Sequence, residues 1–116
     1  MSKFITMKHL ITSVLSVLLV SASAQEHSLE KIWETDTVIA IPESVLHLNK
    51  KTMFISLIDG SPWVADGKGG IGRIDSEGKE YNGTWVIGLN APKGMGLLKD
   101  HLYVADLSEV VVIDTK

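Results

Sequence analysis

The 116-residue chain contains no cysteine. It therefore forms no disulfide, offers no thiolate for metal or nucleophilic chemistry, and lacks the acceptor of a bacterial lipoprotein anchor. Cations are also few: eleven Lys and Arg stand against fourteen Asp and Glu, and they are dispersed rather than clustered. That balance argues against nucleic acid or an anionic membrane surface as a partner. Beyond residue 24, no stretch of apolar residues keeps a 3.6-residue period for three turns. The missing helical period predicts an all-β chain. Without staples, stability has to come from apolar burial, and a chain of this size builds one small core in the range where burial is marginal.

The first two dozen residues are set apart as an export signal. Lys3, Lys8 and His9 make a basic start, and Leu10 to Val20 ("LITSVLSVLLV") is an uncharged run too short to cross a bilayer as a helix. Ala22 and Ala24 in "SASA" fit a signal-peptidase site, with Gln25 as the new N-terminus and Met7 as an alternative start. The expected location is periplasmic or secreted, with no membrane attachment after cleavage; the alternative is an uncleaved anchor. Removing residues 1–24 takes Lys3 and Lys8 with it, leaving 92 residues with nine cations and fourteen acids.

A polar lead, 25–36, precedes short β-type runs punctuated by Gly, Asp and Asn. The runs are 37–41 ("TVIAI"), 44–48 ("SVLHL"), 52–58 ("TMFISLI"), 71–75 ("IGRID"), "KEYNGTWVIG" after the turn 76–78, 94–99, 101–107 and 110–115. A long connection, 59–70 ("DGSPWVADGKGG"), has the composition of an exposed loop. Two stretches fifty residues apart repeat one order: "PESVLHLNKKTMFIS" from Pro42 and "PKGMGLLKDHLYVAD" from Pro92, each followed by a strand ending in Ile-Asp. Such repetition predicts successive blades of a β-propeller, about two of four strands each, with a small β-sandwich as the competing fold. The expected division is a first blade over 37–91, carrying the loop 59–70 as an insertion, and a second, incomplete blade over 92–116.

"IPESVLHLNKKTMFISLIDG" and "LNAPKGMGLLKDHLYVADLSEVVVIDT" resemble blades of the SMP-30/gluconolactonase-like propellers and, more loosely, NHL-type repeats with their "LYVAD" strands. The resemblance implies a six-bladed ring with calcium or zinc at one mouth, hydrolysing lactones or phosphoesters. Its metal ligands would be a Glu at the start of an inner strand with Asn and Asp from other blades. Glu43 matches that Glu; Lys93 stands where a metal-binding blade often has Asn, and an ammonium cannot ligate a cation. Two blades cannot close a ring, so the remaining blades of a longer parent, or further copies of the chain, are the expected partners.

The stretch "DGKGGIGRID" contains a literal GxGxxG at Gly67, Gly69 and Gly72. A dinucleotide loop needs a helix after the glycines, whereas alternating residues and a turn follow, so no nucleotide is expected. Gly69 and Gly70 are expected to turn the chain into a strand starting at Ile71. The candidate ligand-binding set is Asp59, Trp63, Asp66 and Lys93, with Glu43 as the only candidate metal ligand and no catalytic residue assigned. The Asp-Gly pairs of the loop equally suit ordinary turns, and Asp106 suits a turn cap. His27, His47 and His101 share no ligand spacing. Trp33 and Trp85 are expected to pack between sheets. A non-catalytic scaffold or binding module using the 59–70 loop is the alternative function.

Overall fold

The computed structural model describes residues 27–36 and 38–116; the expected signal, 1–24, lies outside the described residues. The chain divides into two units, Met1–Glu30 and Lys31–Lys116, and all the strands belong to the second. They are β1 (Pro42–Asn49), β2 (Thr52–Leu57), β3 (Gly69–Asp75), β4 (Tyr81–Leu89), β5 (Pro92–Leu98), β6 (His101–Asp106) and β7 (Glu109–Asp114). Every pairing is antiparallel between chain neighbours, giving one sheet in the order β1-β2-β3-β4 and another in the order β5-β6-β7. Among the described residues there is no helix. The described residues are all-β, in one four-stranded and one three-stranded antiparallel sheet.

The run 37–41 departs from the strand expected there. Val38 to Ile41 form a turn and bend, and Thr37 lies outside the described residues. Ile41 adopts φ 47°, a conformation that β-branched residues avoid, and its carbonyl accepts a hydrogen bond from Ile58 N at 3.1 Å. Extension therefore begins at Pro42, whose missing N–H is harmless at the first position of an edge strand.

The two sheets share one core. Phe54, Ile71 and Leu89 from the first meet Leu102 and Val104 from the second, with Leu46, Leu48, Met95 and Leu97 packed around them. Trp85 stacks on Phe54 with centroids 4.5 Å apart, in the inter-sheet role its sequence context suggested. On the far face of the first sheet Met53, Ile55, Leu57 and Ile74 form a second cluster with Ile39 and Tyr81. Both faces of β2 are thus buried, which explains its nearly unbroken apolar sequence, whereas β6 alternates strictly between buried and exposed.

Trp33 does something other than pack between sheets. Its Nε1 donates to Ser76 O at 3.1 Å, and its ring lies against Gly78, where any Cβ would come within 2.6 Å of the indole. The same turn holds Asp75. Desolvation pulls this carboxyl upward, but the N–H groups of Lys79 (2.7 Å) and Glu80 (3.2 Å), with the Lys79 ammonium, outweigh it and leave it below its ordinary value of 3.8. A depressed carboxylate supports the fold above its unfolded value and ceases to do so as pH falls through its folded one.

Gly69 and Gly70 belong to β3 itself rather than to a turn before it; the left-handed turn residue is Gly67, at φ 69°. A Cβ on Gly69 would stand 2.5 Å from Pro92 Cδ and 2.7 Å from Asn90 O, so glycine is required by close approach of the connection between the sheets. Gly69→Ala is expected to cost about 1–3 kcal/mol through overpacking. A lower urea midpoint at constant slope would report it; an unchanged midpoint would mean that the connection moves aside freely.

Candidate functional site

The end of the first sheet where β1 begins and β2 finishes carries the connection from Ile58 to Lys68. The loop is closed internally by Val64 N to Ser61 O (3.4 Å), Asp66 N to Val64 O (3.0 Å) and Lys68 N to the Asp66 carboxylate (3.1 Å). A Cβ on Gly60 would lie 2.5 Å from Asp66 Oδ2, so the glycine lets that carboxylate fold back over the loop. Asp59 takes φ 44°, which aspartate tolerates better than most residues.

Two ties fix the loop to the second sheet. Gly67 N donates to Asn90 Oδ1 at 3.2 Å, and Lys93 Nζ donates to Pro62 O at 3.0 Å. Asn90 is held in turn by Asp106, which is 1 % exposed. Its carboxylate accepts Asn90 N at 2.9 Å and Ala91 N at 2.7 Å. A relay thus runs from the end of β6, through the β4–β5 connection, to the tip of the loop. Asp106 does more than cap its own turn: it organises the seam between the sheets. Asn90 carries the same relay and was not singled out from the sequence; only its position between a strand and Pro92 hinted at a connection.

The relay sets Lys93 against Trp63, with the ammonium 4.9 Å from the ring centroid. Trp63 is 80 % exposed and its neighbour Val64 is exposed too, so a broad apolar surface faces water beside a cation. Such a pair can stack a ring on the indole and hydrogen-bond its polar edge through the ammonium.

The remaining candidates are distributed differently. Glu43 is exposed, at the second position of β1. Asp66 is engaged in the loop's own turn. Asp59 is exposed and lies near Tyr81, whose phenol is raised by burial first and by the Asp59 charge second, so it stays protonated through neutral pH. Among the described residues, no three His, Asp or Glu side chains gather as a metal-binding group. A polar cleft of 420 Å³ lies elsewhere, lined by residues of β3 and β4 including Arg73, Tyr81 and Asn82, with Thr52.

No protein-family model matches this chain, and no curated protein or solved structure matches it either.

Proposed function

We propose that the chain contributes two adjacent blades to an exported β-propeller of the SMP-30/gluconolactonase-like kind, and that its mouth binds a small sugar- or lactone-like molecule at Trp63 and Lys93. The observation that carries this reading is the contact of Lys93, on β5, with Trp63, on the loop of the other sheet. A solvent-exposed tryptophan on a loop whose Pro62 and Gly67 are tied by hydrogen bonds to Lys93 and Asn90 presents its face without the ordering cost of a mobile loop. The apolar face of a sugar ring suits the indole, and ring or carboxyl oxygens suit the ammonium.

Titration with glucono-1,5-lactone and with gluconate, followed by tryptophan emission, tests the reading. Saturable change is expected in the native chain and its loss in Trp63→Ala. Because Trp63 is 80 % exposed, that variant should keep its stability to within about 1 kcal/mol, so lost binding would not reflect unfolding. Lys93→Ala should weaken binding by about tenfold. Binding that survives both substitutions would refute the assignment.

A metal-dependent hydrolase is the second reading, favoured by Glu43 standing exposed at the start of β1. Calcium or zinc would then raise the thermal midpoint of the native protein but not of Glu43→Gln. An equal rise in both would remove Glu43 from any site.

A further inference from the structure

The two sheets repeat each other residue by residue. The hairpin-closing pair Asn49↔Thr52 of the first matches Leu98↔His101 of the second, and Thr52↔Asp75 matches His101↔Asp114. Even the exit from the third strand is repeated: Ser76 N donates to Lys51 O at 2.9 Å, and Thr115 N donates to Asp100 O at 2.9 Å. By this register β7 is the counterpart of β3, and Tyr103 the counterpart of Phe54. In the first sheet β3 pairs with β4, and β4 lays Trp85 on Phe54. In the second sheet, among the described residues, β7 pairs only with β6, and the face equivalent to the Phe54 face carries Tyr103, Val110 and Val112, 39 %, 65 % and 51 % exposed.

We infer that the free edge of β7 is a docking site for one extended antiparallel strand bearing a large aromatic side chain, which lies over Tyr103 as Trp85 lies over Phe54. The first sheet supplies the template for both parts of the contact. Backbone N–H and C=O groups along β7 give the ladder, and the uncovered Tyr103–Val110–Val112 face gives the apolar burial that makes strand addition worthwhile. The occupant is argued from the repeat rather than from exposure alone, because the pairing and stacking it would make are already present once in the same molecule. A second copy pairing β7 against β7 is disfavoured: antiparallel register sets Glu109 opposite the other chain's Asp114 at both ends of the strand. The inference goes beyond the binding role assigned to the mouth and does not depend on it.

The test appends a second copy of residues 78–89 directly after Lys116, so that Thr115 and Lys116 stand where Ser76 and Glu77 stand in the first sheet. Hydrogen exchange of the β7 amides is expected to slow by at least about tenfold, and the thermal midpoint to rise by roughly 5–10 °C. Carrying Trp85→Asp within the appended copy should abolish both effects while leaving the host chain folded. Unprotected β7 amides in the tailed protein, or equal protection with the aspartate tail, would overturn the inference. So would a dimer of the untailed chain that Val112→Lys dissolves, since a second copy would then be the occupant. Trp63→Ala should leave all these readouts unchanged, which separates this inference from the mouth.

Discussion

Asp106→Ala is expected to leave the protein only marginally stable, with a substantial unfolded fraction at 37 °C. The carboxylate is the acceptor for two backbone N–H groups in the connection between the sheets, and Ala91, which carries one of them, is fully buried. Removing it strands both donors, at about 1–3 kcal/mol each, so the loss is about 2–6 kcal/mol. A small, staple-free domain is stable by only about 5 kcal/mol at the lower end of the usual range. Asp106→Asn keeps an oxygen acceptor and should lose only about half as much. Thermal denaturation by circular dichroism distinguishes these outcomes, and a loss under about 1 kcal/mol for the alanine variant would mean that water reaches the seam. The same variant should free Asn90 and with it the tie to Gly67, so the binding proposed at Trp63 should weaken even where the fold is restored by cooling.

Phe54→Ala should be comparably damaging, at about 3–5 kcal/mol. Phe54 is 0 % exposed, stacks on Trp85 and shares the core with Leu102 and Val104 of the second sheet. Truncation leaves a cavity bounded by two β-sheets, which cannot collapse onto it without giving up ladder pairing. Phe54→Leu should recover more than half of the loss, because most of the volume returns and only the ring stacking is missing. Denaturant titration of the two variants measures the difference; equal penalties would locate the energy in the Trp85 stacking rather than in volume.

Much of this architecture is legible in the sequence, because β-runs bounded by turn residues announce themselves through local chemistry. The segments around β2, β6 and β7 follow the alternation and β-branched content expected of them, and Trp85 sits between the sheets. The misreadings share a cause, which is that long-range contact decides the local conformation. "TVIAI" has strand-forming residues, yet the bond from Ile58 to Ile41 and the left-handed turn there end extension. Gly69 and Gly70 have the composition of a turn, but they are strand residues selected by the proximity of Asn90, Pro92 and Val86. Trp33 lies in a polar lead and finds its partner in a turn 43 positions away. The repeat is visible by letter from Pro42 and Pro92, but its register is not: β1 has eight residues and β5 seven, with irregular pairing near the start of each. Matching the prolines puts Met53 opposite Tyr103, whereas matching the hairpins puts Phe54 there. In the 59–70 connection, exposure of Trp63 follows from its loop, while the loop's ties to Asn90 and Lys93 are long-range contacts.

Because each described strand pairs with its neighbour along the chain, the ladders form by closing local loops, whereas the seam between the sheets requires distant residues to meet. Such an order favours rapid formation of the hairpins, followed by docking of the two halves. Phe54 acts at that later step. Its truncation should therefore appear mainly as faster unfolding in stopped-flow measurements, with the refolding arm little changed; a slowed refolding arm would place the seam in the nucleus instead. A chain synthesised from its N-terminus would then have its first sheet assembled before the residues that lock it have appeared.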